Sequence, residues 1–342
     1  MKQRRAVFAL TVLVGCASSM MLFAQSKDDK KKDEAQKREI QSIVKSVDDL
    51  TAGQPAANDL SMTWLREDVL KAQGNKEYVP FTVTLDTSKL AGKSFALYWR
   101  VVSTDAPPPA PDPKAKKDDK APIYAFENLH MVDVPAGESP LRLSRSFVVG
   151  PGKYDVYVVA KEPDPKKKGD PPAKIGIVRQ ELTVPDLWNG ELSTSSIIMA
   201  ERIDPLPAPL TPTQLEERPY ALGNMEILPA ISAKLSKRSE LSVFLLIYNA
   251  KVDAANAPDV TVEYNFYNVQ SGGEKFFNKT NPQSLNAQTL PAGFDPAAGM
   301  TNGQTIPLAA FPEGDYRLEI KITDRLATRS LTRDVKFSVS GS

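Results

Sequence analysis

The chain has 342 residues, 41% of them hydrophobic and 25% charged, a globular composition with enough length for two domains. Lys and Arg number 43 against 42 Asp and Glu, a formal charge of +1, so there is no concentrated basic footprint and nucleic acid is not an expected partner. One cysteine and one histidine exclude a disulfide framework and any thiolate or paired-histidine metal site, and no cofactor is expected.

Lys2, Arg4 and Arg5 are followed by an apolar run from Ala6 to Gly15 in which Thr11 is the only hydroxyl. This is the charged-then-apolar pattern of a secretory signal, too short for a comfortable membrane span. Two exits compete. Leu22-Phe23-Ala24 before Gln25 loosely fits cleavage between Ala24 and Gln25, with 1–24 as signal peptide, although Leu22 is larger than that pattern prefers. Leu13-Val14-Gly15-Cys16 looks like a lipobox with Cys16 as the lipid-bearing residue, although Met20 to Phe23 stay apolar where lipoproteins turn polar. Either route takes the protein out of the cytoplasm, to a periplasmic, outer-membrane-associated or extracellular place. It would touch a membrane only through lipidation of Cys16.

Residues 25–57 read as a charged tether and a short helix. Ser26 to Glu39 is a lysine and aspartate run with almost nothing apolar, as in a solvated tether. Ile40, Ile43, Val44, Val47 and Leu50 then recur at helical spacing and predict a short amphipathic helix packed on the first domain.

Over 58–190 the period changes to two. Gly74-Asn75 is a hairpin signal before Val79, Phe81, Val83 and Leu85 on one face, and Phe95, Leu97, Trp99 and Val101 alternate next. Strands over 123–134, 141–149, 154–160 and 175–184 bring the count to about seven, which predicts an immunoglobulin-like sandwich. Inserts over 106–122 and 163–174, rich in proline and lysine, read as surface loops. Pro185 to Pro229, with strand-like Ser195 to Met199 and a Pro-rich stretch from Pro205 to Pro219, reads as the interdomain connection plus the first strand or two of a second domain over 191–342. Alternation at Leu241–Ile247, Val260–Phe266, Tyr316–Ile322 and Val335–Val339 predicts a second sandwich. The expected fold is therefore all-β, two tandem immunoglobulin-like sandwiches with a short N-terminal helix.

Both halves end alike. Gly152-Lys153-Tyr154 and Gly314-Asp315-Tyr316 each open an alternating strand that precedes a last one. A tyrosine there resembles the tyrosine corner of Greek-key sandwiches, so Tyr154 and Tyr316 are expected to be architectural. Tyr78-Val79-Pro80-Phe81-Thr82-Val83, and Glu240 to Val243 through Tyr248-Asn249-Ala250, resemble the C-terminal tandem-sandwich region of secreted von Willebrand factor A-related proteins of acidobacteria-like genomes, over roughly residues 61–339. The resemblance implies envelope or extracellular placement without an assigned activity. The A domain itself is missing: Asp86-Thr87-Ser88-Lys89-Leu90 starts its Asp-x-Ser-x-Ser metal motif and then departs from it, so Asp86 reads as a strand-end turn residue and no metal site is expected.

No catalytic constellation stands out. His130, between Leu129 and Met131 in an alternating strand, reads as a packed or surface histidine and not a general base. Glu216-Glu217 have nothing in their spacing to mark a glycosidase dyad, and Gly272-Gly273 reads as a hairpin turn. The expectation is a non-catalytic binding or adhesion-type protein of the cell envelope whose partner is a protein or an envelope polymer. A structural or assembly subunit of an envelope complex is the alternative.

Overall fold

The computed structural model describes residues 27–105, 124–135, 137–165, 169–291 and 293–341, with side chains from residue 38 onward. The expected leader sites at Cys16, Ala24 and Gln25, the first insert and Lys166 to Lys168 of the second lie outside these residues.

Alternating apolar residues pair into two sheets in the first half. In one, β3 (Lys76–Leu85) is central, with β1 (Thr63–Glu67) and β2 (Leu70–Ala72) sharing one side and β6 (Leu141–Val149) on the other. The other runs β5-β4-β7-β8, from Phe126–Asp133, Ser94–Ser103, Gly152–Lys161 and Ile175–Val184. Val79, Phe81, Val83 and Leu85 meet Phe95, Leu97, Trp99 and Val101 between them in one core, and Trp64 stacks on Phe81 at 4.9 Å. This is an immunoglobulin-like sandwich with its buried tryptophan on the strand opposite β3.

The second half repeats the plan. Here β14 (Glu240–Tyr248) is flanked by β18 (Met300–Pro307) on one side and by β9 (Ser193–Thr194) and β10 (Ile198–Pro205) on the other. Beyond β10 lie β12 (Met225–Pro229) and β11 (Ala221–Leu222). The facing sheet runs β13-β20-β19-β15-β16, from Lys234–Ser236, Arg329–Ser340, Gly314–Asp324, Val260–Gln270 and Gly273–Lys279, with β17 (Gln283–Leu285) also paired to β15. Among the described strands only β13 runs parallel to its neighbour, β20. A core of Leu241, Val243, Tyr264, Phe266, Leu318, Ile320 and Phe337 fills the space between.

Register shows how closely the halves match. Trp99 lies opposite Val158, four residues beyond Tyr154, and Tyr264 lies opposite Ile320, four residues beyond Tyr316. Both aromatic rings reach across their sandwich with a polar tip, Trp99 Nε1 donating to the Ser146 carbonyl at 3.2 Å and the Tyr264 hydroxyl to Asn302 Oδ1 at 2.5 Å. On the outer face Arg179 pairs with Asp155 at 2.8 Å. At the equivalent positions Asp334 pairs with Arg317 at 2.6 Å, with the charges exchanged.

Two parts differ from the sequence reading. The helix α1 spans Lys27–Thr51, so most of the stretch read as a tether is helical. Lys, Glu, Gln and Ala are good helix formers, no Gly or Pro interrupts 27–51, and extending an existing helix is far easier than starting one. Ile43 and Val47 anchor it, fully buried on Ala96, Tyr98, Tyr157, Val159 and Ile177 of the outer β4-β7-β8 face. The Pro-rich stretch is also not a plain connection. It holds a second helix, α2 (Pro212–Glu217), started by a capping box in which Thr211 and Gln214 bond each other's backbone.

Candidate functional site

The excursion between β10 and β12 belongs to the second sandwich by pairing but grips the first. Asp68, 2% exposed, takes both nitrogens of Arg66 at 2.7 and 2.9 Å and the Tyr220 hydroxyl at 2.8 Å. Arg66 in turn donates to the Ala230 carbonyl at 3.0 Å, and the Tyr78 hydroxyl to that of Pro219 at 2.9 Å. Burial pushes the Asp68 carboxyl up in spite of these donors. A second seam joins Val69 to Ser196 through two bonds of 2.8 and 2.9 Å. A third sets Lys71 over the rings of Trp188 and Tyr248, with its Nζ on Asn249 Oδ1 at 2.6 Å. Glu77 is fully buried beside this seam, one oxygen accepting from the Leu187 amide and the other without a partner.

These contacts decide which surfaces remain open. β3 is buried on both sides, since outward Pro80 and Thr82 are covered as fully as inward Phe81 and Val83. The opposite sheet of the first sandwich carries α1. Phe244, on the outer side of β14, packs with Ile198, Tyr220 and Ile227 against the junction. Among the described residues no helix packs on the outer face of β20-β19-β15-β16. Where the first sandwich offers α1 Ala96, Tyr98, Tyr157, Val159 and Ile177, the second has Thr261, Glu263, Glu319, Lys321 and Thr332 by register, so no apolar seat for a helix exists.

That open face ends in an aromatic corner. Phe276 on the edge strand β16 is 52% exposed and Val269 39% exposed. Phe276 meets Tyr267 edge-on at 5.8 Å, and the Arg317 guanidinium lies 4.4 Å from the centre of the Tyr267 ring. Arg317 is pinned by Glu274 at 2.8 Å, Glu319 at 3.1 Å and Asp334 at 2.6 Å. Burial alone would lower its pKa, but these carboxylates hold it above the ordinary arginine value. A rigid cation held on a ring beside two exposed apolar side chains and an unpaired strand edge suits protein contact better than chemistry on a small molecule.

The sequence-expected residues sit elsewhere. The Tyr154 hydroxyl donates to the Gly150 carbonyl at 2.9 Å and that of Tyr316 to Pro312 at 2.7 Å, each four residues back. Each is entered through a glycine at positive φ, 153° at Gly152 and 144° at Gly314, which side chains rarely adopt. Asp86 caps a 3-10 turn at Thr87–Lys89 and accepts from Ser88 and Ser139, whose hydrogen bonds hold its carboxyl low. His130 faces inward on β5 with its ring edge on Trp99 and Nε2 3.6 Å from Glu216 Oε2. Among the described residues no three His, Cys, Asp or Glu side chains gather as a metal site requires. An open groove of about 470 Å³ lies between α1 and β8 and is lined by Lys45, Asp49, Leu50 and Ile177, with Lys45 and Asp49 paired to each other at 2.6 Å.

No family model matches the chain, and no curated protein does. Among solved structures it is similar to Escherichia coli alpha-2-macroglobulin activated by porcine elastase, at 12% identity and a TM-score of 0.24 over 77% of this chain and 22% of that one. An immunoglobulin-like protein from Pseudomonas aeruginosa matches at 10% identity and a TM-score of 0.21, over 42% of this chain and 97% of that one. Salmonella alpha-2-macroglobulin reacted with methylamine matches at 12% identity and a TM-score of 0.20, over 84% and 17%. The chain thus spans about a fifth of the macroglobulins it matches, and none of the three is a von Willebrand factor A-related protein. Scores this low carry no inference about function, which rests on the face itself.

Proposed function

We propose that this is an exported, non-catalytic binding protein of the cell envelope whose second sandwich receives a strand of a protein partner along β16, beside Phe276. The charged and apolar N-terminal pattern, ending at Ala24 or at Cys16, supports export. The resemblance of residues 61–339 to secreted von Willebrand factor A-related proteins is consistent with that placement. The observation that carries the binding reading is an uncovered sheet face with its exposed Phe276 and Val269 at an unpaired edge. An edge strand offers free backbone donors and acceptors, and neighbouring side chains add selectivity.

The test is cross-linking and capture from intact envelopes with wild type and the double variant Phe276→Asp, Val269→Asp. The proposal expects one protein captured by wild type and lost with the variant, which circular dichroism should find folded at the capture temperature because it gives up only the Tyr267 contact and partly exposed area. Equal capture by both would overturn it. The locked junction favours a second reading, a structural subunit that holds its neighbours at fixed spacing. Stoichiometric recovery of a complex that survives the double variant would support that role instead.

A further inference from the structure

Along β6 the inward positions read Leu141, Leu143, Arg145, Phe147 and Val149, so a guanidinium stands where the alternation calls for an aliphatic side chain. Arg145 is 6% exposed. One of its terminal nitrogens donates to the Ser144 carbonyl at 2.7 Å, while Nε has no partner. Among the described residues no carboxylate lies within the 4.0 Å of an ion pair. Burial pulls this arginine below its ordinary pKa, with Glu217 and Glu216 acting in the opposite sense. A buried cation without a counter-charge is strongly unfavourable, whereas an apolar residue of that size would fit at no such cost.

The arginine lies at the mouth of the sandwich, between the edges of β5 and β6. His130 stands on the other side and is 20% exposed, so the mouth reaches solvent there. Over it lies α2, packed on β6, with its last two residues Glu216 and Glu217. The helix is held lightly. None of its six residues is buried, and the Glu216 contact to His130 is 3.6 Å long with the carboxylate 56% exposed, the kind of pair that contributes little. The firm anchors, Pro219 and Tyr220, come after it in the chain, so the bonds of the junction do not involve α2.

We propose that this mouth is a carboxylate-binding site overhung by the acidic end of α2, and that an acidic segment of a protein partner displaces Glu216 and Glu217 to reach Arg145. A guanidinium fork matches a carboxylate through paired donors, and Phe126 on the facing edge strand is only partly buried. The site is separate from the β16 face and stands or falls without it.

The single histidine of the chain makes the test direct, because its imidazole signals report on this mouth alone. Full-length wild type, E216Q/E217Q and E216Q/E217Q/R145M are titrated with a penta-glutamate peptide, and separately with acetate and phosphate, while the imidazole signals are followed by NMR. Removing the overhanging carboxylates should tighten peptide binding at least tenfold over wild type, and R145M should abolish it in that background. R145M alone should melt no lower than wild type. Should R145M not fold, R145K keeps the charge but loses the fork and should bind at least tenfold more weakly. No imidazole shift in E216Q/E217Q, or a shift indifferent to position 145, overturns the site. Phosphate binding as tightly as the peptide overturns the carboxylate assignment.

Discussion

Tyr220→Phe isolates one atom of the junction. The ring stays in its buried seat with Ile198, Ile227 and Phe244, and only the hydroxyl that donates to Asp68 at 2.8 Å is lost. A hydrogen bond to a buried charged group contributes about 1.5–3 kcal/mol, so a loss of roughly 2 kcal/mol is expected. If the junction makes both sandwiches one cooperative unit of roughly 300 residues, the unfolding entropy is about 0.6 kcal/mol/K and the melting temperature falls by about 3 °C. The whole transition should move together, since Asp68 belongs to one sandwich and Tyr220 to the other. Differential scanning calorimetry of the full chain reads both the number of transitions and the shift. Two resolved transitions, or a single one displaced by less than about 0.5 °C, would refute the view that Asp68, Arg66 and Tyr220 lock the halves.

Other substitutions probe separate features. Tyr154→Phe and Tyr316→Phe should each cost about 1–3 kcal/mol in denaturant titration, because each strands a carbonyl, Gly150 or Pro312, that the hydroxyl now satisfies. Ile43→Ala should cost about 2–5 kcal/mol of α1 docking, read as lost hydrogen-exchange protection over 40–51 with the strands unchanged, since Ile43 is fully buried under the helix. Burial, and then Arg145, lower the His130 pKa despite Glu216 and Glu217. The folded state therefore prefers the neutral ring. Its contribution to stability is full above the unfolded value of about 6.5 and is lost as pH falls through the folded value. NMR titration should find a midpoint below 6.5, and His130→Gln should remove that part of the acid sensitivity.

Much of the sandwich architecture was legible because one face of each strand is buried. The alternation at Val79–Leu85, Phe95–Val101 and Leu241–Ile247 marks strands directly, and those over 141–149 and 175–184 have the limits that alternation suggests. The count of about seven falls one short of eight in the first half, because β1 and β2 share one side of β3. Polar composition hid the first turns of α1, since low hydrophobicity marks exposure and not backbone state. Proline hid α2, although Thr211-Pro212-Thr213-Gln214 carries a helix-start signature. The junction was not legible: Asp68 and Tyr220 are 152 residues apart, and no local pattern encodes that meeting. Arg145 was visible in principle as a charge at an inward position of an apolar alternation, but its nearness to Glu216 needs the fold.

Tandem domains built on one plan run a particular hazard, the exchange of equivalent strands during folding. The inverted ion pairs do not settle the choice, because an exchanged β8 would also set Glu181 opposite Arg317 and Arg179 opposite Glu319, whereas the native hairpins set Asp155 opposite Glu181 and Arg317 opposite Lys336. The outer face does. Ile177 lies opposite Val159 beneath α1, and the matching pair of the second sandwich is Thr332 opposite Lys321. A swapped β20 would put Thr332 under the helix and a swapped β8 would leave Ile177 on the open face, so α1 acts as the key to the strand that belongs beneath it.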